Sequence, residues 1–142
     1  MFSNKLNYPA ILVGLLSLVF FLTFQAQGIF GGDSGDLVTA TFQMGIPHPP
    51  GYPFYTFVGW VLSRLPLLTP AWRVTLLSSI SHAITVIFLY LTVERLTKKR
   101  SAAVFASVVL AGNYLFFLYS VTPEVFALLD LFAAELIHLA RA

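Results

Sequence analysis

Residues 72–96 read WRVTLLSSISHAITVIFLYLTVERL, and the basic cluster TKKR follows directly. A helix over this stretch is long enough to cross the ~30 Å hydrocarbon core of a bilayer. The whole chain is 58% hydrophobic and only 10% charged, and its mean hydropathy is +0.84. Such a composition lies outside the range of ordinary soluble domains. The sequence therefore predicts an all-α protein that is embedded in the lipid bilayer.

Three other apolar runs, at residues 9–26, 101–120 and 124–140, complete a predicted set of four membrane spans. The first run is uncharged and could instead be the core of a secretory signal peptide, because Lys5 precedes it. Signal-peptide cores are usually shorter, which favours a retained span. The last run is weaker, because three ionisable residues that should face a protein interior or a cavity interrupt it: Asp130, Glu135 and His138.

The basic residues indicate how the chain is oriented. Arg95, Lys98, Lys99 and Arg100 make the turn between the second and third spans the most basic point of the sequence. The positive-inside rule places such a turn in the cytoplasm. The long loop at residues 27–70 then lies on the opposite face, which predicts a multi-pass protein of the bacterial inner membrane or the endoplasmic reticulum. Since the remaining Lys and Arg are scattered or end apolar runs, no nucleic-acid partner is expected.

The outer loop concentrates its polar residues in one window, GGDSGDLVTATFQMGIPHPPGYPFY at residues 31–55. Two carboxylates three residues apart, Asp33 and Asp36, are costly near hydrocarbon unless a cation, a proton or a substrate compensates them. This favours a functional role for at least one of them. Asp36 or Ser34 is also a suitable N-cap for a short helix at residues 37–44.

The second half of the window is rich in proline. Four prolines in residues 46–53 fix the backbone and bar a helix, so His48 and Tyr52 should lie on a stiff extended loop. A short interfacial helix is expected next, at residues 55–68. Glu124 should reach the same face as the two aspartates. Two arginines near the loop could bind a lipid phosphate, although snorkelling to the interface is the simpler interpretation: Arg64 and Arg73.

Two other functions fit parts of the pattern. The G-x-S-G sequence around Ser34 is typical of rhomboid intramembrane proteases, with His82 or His138 as the base. Against this, Ser34 has charged neighbours on both sides, and an interhelical hydrogen bond is the simpler role for His82. A transporter or assembly subunit that binds a substrate in its polar loop is also compatible with the sequence. The absence of cysteine excludes a disulfide framework and thiolate metal sites.

The pairing of GDSGD with HPPGYP, followed by EVFAL at residues 124–128, resembles the protein O-mannosyltransferase-like family. This family belongs to the GT-C glycosyltransferases, and the resemblance covers nearly the whole chain. Asp36 stands where a glutamate is common. Because members have many more spans, the chain resembles only their amino-terminal portion, and residues 1–142 alone are expected to be an inactive fragment.

The resemblance implies a polytopic GT-C-like fold and a sugar transferase. The expected donor is a polyprenyl-phosphate-linked sugar, mannose or another hexose, and the expected acceptor is a protein or glycan hydroxyl on the non-cytoplasmic face. Asp33 matches the family's essential acid and is the expected catalytic base. Some GT-C enzymes use a divalent metal and others do not, so metal use stays open. The remaining polar residues around the loop are expected to bind substrate: Asp36, His48, Tyr52, Glu124, Arg64 and Arg73.

Overall fold

The computed structural model describes residues 7–140, and within that range the chain forms seven α-helices and no strand. The prediction of an all-α fold is confirmed, whereas Lys5 lies outside the described residues. The helices run in the order α1 (Tyr8–Phe24), α2 (Ser34–Gln43), α3 (Pro53–Ser63), α4 (Pro70–Thr97), α5 (Arg100–Ala111), α6 (Tyr114–Val121) and α7 (Phe126–Ala140).

The long helix α4 is the centre of the molecule and contacts each of the other six helices. Thr69 caps its start by accepting a hydrogen bond from the Trp72 backbone at 3.1 Å, and Pro70 occupies the first helical position. Its 28 residues give a length of about 42 Å. Many of its buried residues are small and polar, which lets neighbouring helices approach closely: Thr75, Ser78, Ser79, Ser81 and Thr85.

The helices at the positions of the predicted spans differ in length and continuity. Within residues 7–140, α4 is the one continuous helix both long and apolar enough to cross a membrane, while α1 is apolar but has 17 residues. The predicted span at residues 101–120 falls on two helices, α5 and α6, which meet at an angle of 66°. Asn113 starts a new helix there, since its side chain accepts hydrogen bonds from the Leu115 and Phe116 backbones. This bent pair is either a broken span or a re-entrant loop.

The two short helices of the outer loop also differ from their predicted bounds. Helix α2 begins three residues earlier than expected and ends at Gln43, after which Met44, with a left-handed backbone (φ 57°), turns the chain away. Pro53 starts α3 rather than barring it, since proline suits the first position of a helix. Helix α3 ends at Ser63, before the predicted Leu68.

Polar contacts show which chain segments share each end of the helical bundle. At one end, Glu94 accepts hydrogen bonds from both Asn7 and Arg100. At the other end, Gln25 donates to the Trp72 carbonyl, and the Ala26 backbone donates to the Val121 carbonyl. The start of α1 therefore lies beside the basic α4–α5 turn, and the outer loop leaves from the opposite end.

Much of the apolar surface faces outward. Large hydrophobic side chains are exposed along α1, α5 and α7, and Phe105, for example, is 71% exposed. The buried hydrophobic residues form three separate clusters rather than one continuous core. An outward apolar surface of this extent is what a helix bundle in contact with lipid or with further membrane helices presents.

Candidate functional site

The amino-terminal end of α2 carries the two aspartates of the outer loop. Asp33 is the N-cap residue, but its side chain makes no capping hydrogen bond, and Asp36 lies in the first turn. The Ser34 hydroxyl accepts a hydrogen bond from the Phe30 backbone at 3.1 Å instead. The prediction that Asp36 or Ser34 caps this helix is therefore wrong, and both aspartate side chains are free for other partners.

His48 lies beside both aspartates, because the loop between α2 and α3 carries it back towards the start of α2. Its ring Nδ1 lies 2.7 Å from Oδ2 of Asp36, and its backbone N–H donates to the same oxygen at 2.8 Å. Its Nε2 lies 3.6 Å from Oδ2 of Asp33. The side chains of His48, Asp36 and Asp33 are 37%, 48% and 60% exposed, so a substrate in solution can reach all three.

The hydrogen bonds of His48 also set the charge of Asp36. The bond from the His48 backbone, followed by the bond from its ring, lowers the pKa of Asp36. Asp36 is therefore an ionised, acceptor-only group at neutral pH, and Nδ1 of His48 must carry the hydrogen between them.

The loop of residues 45–52 holds the imidazole in this position. The Gly51 backbone donates to the His48 carbonyl at 3.0 Å, and Gly51 has a φ of 90° that favours glycine. The Tyr52 ring packs edge-on against the His48 ring, with 5.5 Å between their centres. His48 and Tyr52 lie outside the helices, as predicted, but the loop makes a turn at residues 48–51 and is not extended there.

Glu124 approaches the same cluster from the segment before α7. Its backbone N–H donates to the Ser78 hydroxyl at 3.1 Å, which fixes this segment to α4. Burial, followed by the nearby Asp33 carboxylate, raises the pKa of Glu124. It lies just outside α7, which begins at Phe126, two residues after the start of the predicted apolar run.

Tyr55 is a member of this region that the sequence reasoning missed. Its side chain is 2% exposed, and its hydroxyl has no hydrogen-bond partner among the described residues. Burial, followed by the charge of Glu124, raises the pKa of Tyr55. A tyrosine inside an apolar helical stretch gives no sequence signal that separates it from core residues, so only its position beside Glu124 identifies it.

An apolar groove adjoins the polar cluster. It has a volume of about 360 Å³ and lies between the start of α3 and the start of α7. Its lining includes Tyr52, which packs against His48, and Val125, the chain neighbour of Glu124. The other lining side chains are largely aromatic or aliphatic: Pro53, Phe54, Tyr55, Phe126, Leu128, Leu129 and Phe132.

The structure does not bring the two predicted phosphate-binding arginines into the cluster. Arg64 donates to the Phe42 carbonyl at 2.9 Å and covers the Trp60 ring. Arg73 donates to the carbonyls of Ser63 and Leu65, at 2.8 and 2.6 Å. These hydrogen bonds satisfy backbone carbonyls near the carboxyl end of α3 and in the turn into α4, so both arginines have structural partners here. Their role in binding a substrate stays a prediction.

The cluster is not arranged as a metal centre. Among residues 7–140, no three His, Cys, Asp or Glu side chains are grouped so that they could hold a metal ion. Asp36 already uses one oxygen for two hydrogen bonds from His48. The side chains of this region therefore do not fit a preformed metal site.

The protease interpretation finds no support in the geometry. Ser34 pairs with a backbone N–H, while His82 contacts Ser120 and Asp130, at 2.7 and 3.2 Å. Ser120 is fully buried and donates its own hydroxyl to the Phe116 carbonyl, so it is not a free nucleophile. The prediction that His82 makes an interhelical hydrogen bond is confirmed.

Comparison with known proteins gives an independent result. Residues 33–141 match the family described as the protein O-mannosyl-transferase TMEM260 N-terminal domain. The chain is 33% identical over 118 residues to protein O-mannosyl-transferase tmem260 of Dictyostelium discoideum, and 35% identical over 138 residues to TMEM260 of Mus musculus. These alignments cover 81% and 96% of this chain, but only 14% and 20% of the two relatives. No solved structure matches the chain.

The family match covers α2 to α7 and contains every residue of the polar cluster. The relation to TMEM260 also supports the membrane character indicated by α4 and the bent helix pair. By these alignments, the chain belongs to the family of the protein O-mannosyl-transferase TMEM260 N-terminal domain.

Proposed function

We propose that this chain is the amino-terminal part of a polytopic, GT-C-like membrane glycosyltransferase. The enzyme would move mannose or another hexose from a polyprenyl-phosphate donor to a hydroxyl of a protein Ser or Thr. The reaction would take place on the non-cytoplasmic face of the endoplasmic reticulum or of the bacterial inner membrane. The observation that carries the proposal is the meeting of Asp33, Asp36 and His48 in the outer loop, opposite the basic turn.

The groove beside the cluster supports a lipid-linked donor. An isoprenoid chain needs an apolar channel, and the aromatic groove between α3 and α7 is lined in part by Tyr52, the neighbour of His48, and by Val125, the neighbour of Glu124. A donor with its chain in this groove would place its phosphate and sugar near Asp33 and His48. This arrangement matches the usual composition of ligand sites, which are largely apolar with a few convergent polar groups.

The proposed chemistry needs one general base. The acceptor hydroxyl attacks the anomeric carbon, a new C–O bond forms, and the bond from that carbon to the phosphate oxygen breaks. Because phosphate is a good leaving group, no second carboxyl has to donate a proton, unlike in glycosidases. Asp33 is the best candidate for the base, since its exposed carboxylate makes no hydrogen bond that occupies it in the way that His48 occupies Asp36.

Replacement of Asp33 by asparagine tests the proposal. Asparagine keeps the shape of aspartate but accepts no proton, so Asp33→Asn in the full-length protein should lower turnover by about 100-fold or more. The measurement is transfer of a radiolabelled sugar from polyprenyl phosphate to an acceptor peptide, in membranes with matched amounts of each variant.

Glu135→Gln is the matched control, because it removes a carboxylate on α7 about 14 Å further along that helix than its first residue. It should leave turnover unchanged. Normal turnover in Asp33→Asn would remove this residue from the chemistry. A wild-type protein that transfers no sugar from any polyprenyl-phosphate donor would contradict the proposed function itself.

A further inference from the structure

The contacts of His48 define its tautomer. A carboxylate has no hydrogen to donate, and Oδ2 of Asp36 lies within 2.8 Å of both the backbone nitrogen and Nδ1 of His48. Both nitrogens must therefore carry hydrogens that point at this oxygen. In a neutral ring with its hydrogen on Nδ1, the other nitrogen, Nε2, has a free lone pair.

That lone pair faces the proposed base. Nε2 lies 3.6 Å from Oδ2 of Asp33, which is too long for a hydrogen bond and suits two groups that are both acceptors. A proton on either atom would turn this separation into an attractive contact. Since Asp33 is the most exposed of the three side chains, at 60%, it is free to close the remaining distance of less than about 1 Å.

The geometry points to a proton relay in which His48 receives, through its Nε2, the proton that Asp33 takes from the acceptor hydroxyl, while Asp36 holds the opposite side of the ring. This inference rests on the proposed function and deepens it. His48 and Asp36 act through Asp33 and do not touch the sugar, so they are positioning residues rather than catalytic ones.

The proton and the bonds balance in this scheme. The hydroxyl O–H bond breaks as the oxygen bonds to the anomeric carbon, and the phosphate leaves with the electron pair of the old C–O bond. The proton moves to Asp33 and then to Nε2, which produces an imidazolium between two carboxylates. Asp36 stabilises this cation through its short contact with Nδ1. Loss of the proton to solvent restores the neutral ring and an ionised Asp33.

The groups that face His48 all favour this role. Asp33 and Asp36 face it from the start of α2, and Tyr52 packs against the ring from the loop. Glu124 contributes a further acidic group from the segment before α7. None of these residues is basic, so positive charge on the ring is stabilised by its surroundings.

The test is the pH profile of sugar transfer by the full-length protein and two variants. A ring that is already protonated on Nε2 cannot receive a proton, so the wild-type rate should fall as the pH is lowered, which gives the pH profile an acid limb. His48→Gln should lower turnover by about 100-fold and move the acid limb of the remaining activity to lower pH. Asp36→Asn should move the limb to lower pH by a smaller amount, because asparagine keeps the hydrogen bond but loses the charge.

Each result decides between the relay and a merely structural role. An acid limb at the same pH in wild type and His48→Gln would overturn the relay, even if turnover falls. If His48→Gln does not fold, Asp36→Asn decides alone, and an unmoved limb overturns the relay. Loss of activity in Asp33→Asn together with normal His48 variants would reject the relay but keep the proposed transferase.

Discussion

At the scale of single residues, the cluster contains two carboxyl groups whose surroundings shift their pKa values in opposite directions. His48 lowers the pKa of Asp36 through hydrogen bonds, whereas burial raises the pKa of Glu124. Such divergent environments for nearby acids are common at functional sites, because they keep one group charged and make the charge of another costly. Glu124 therefore lowers the stability of the fold at neutral pH.

This predicts that Glu124→Gln stabilises the protein at neutral pH. A carboxyl group whose pKa is raised by folding contributes stability that is present below its unfolded pKa and is lost as pH rises through the folded value. Compared with wild type, the glutamine variant should gain on the order of 2 °C in Tm at pH 7.5 and nothing at pH 4.

Thermal unfolding in detergent at the two pH values measures this gain. The opposite contribution of Asp36, lost as pH falls, is present in both proteins and cancels in their difference. A constant Tm difference across the pH range would contradict the assigned cause. A lower transfer rate in the more stable variant would further connect Glu124 to function.

At the scale of elements, the site depends on the close approach of α2 and α3. A Cβ atom at Gly59 of α3 would lie 2.7 Å from Cγ2 of Thr41 in α2. Thr41 cannot turn away, because it is fully buried and its hydroxyl bonds to the carbonyls of Leu37 and Val38. Glycine at this position therefore lets α2, with both aspartates, pack directly on the helix that follows His48.

A double-mutant cycle tests this contact. Gly59→Ala should destabilise the protein by about 1 to 3 kcal/mol, since the added methyl group overpacks the interface. Thr41→Ser removes the clashing Cγ2 and keeps both the hydroxyl and a Cβ 3.2 Å from the added methyl group, so in that background Gly59→Ala should cost clearly less than in the wild-type protein. Gly28→Ala is the control, because among the described residues no atom beyond its own chain neighbours lies within 4 Å of the position that the added methyl group would take. Additive effects of the two substitutions would show that the helices do not meet here.

At the scale of the whole molecule, a buried polar network joins α4 to the end of α1, to α6 and to α7. Ser79 of α4 donates to the Gln25 side chain, next to α1, and to the Ser120 carbonyl of α6. His82, also in α4, bonds to Ser120 and to Asp130 of α7, and its ring stacks on Phe116 at 3.8 Å. Because buried polar groups must be paired, this network specifies which faces of the helices meet.

The network predicts different outcomes for two buried serines. Ser79→Ala should destabilise the protein by about 1 to 3 kcal/mol, since it leaves polar partners unpaired. Ser107→Ala should be neutral or slightly stabilising, because the Ser107 hydroxyl is buried without a partner among the described residues. Chemical unfolding of both variants in the same detergent provides the comparison. Equal losses of stability would show that the network is not what holds the helices in place.

Local chemistry explains why part of this structure was predictable from the sequence. Apolar composition and length predicted the helical character and the approximate positions of α1 and α4. Prolines predicted the non-helical loop around His48. The two aspartates, which are energetically costly near hydrocarbon, indicated that the polar window has a function. These features depend on properties of single residues and of short stretches of chain. Examples are the fixed φ angle and missing N–H of proline and the transfer of apolar side chains into lipid.

Other features depended on the tertiary structure, because a polar group can often be satisfied in more than one way. By sequence alone, Asp36 could cap its own helix or pair elsewhere, and only the return of the loop brings His48 to it. Glu124 reaches the cluster because Ser78 holds its segment to α4, and Arg64 and Arg73 bond to nearby carbonyls. The bend between α5 and α6 likewise became visible only in the structure. Composition therefore determined the class of the protein, whereas contacts between distant segments determined which polar groups meet.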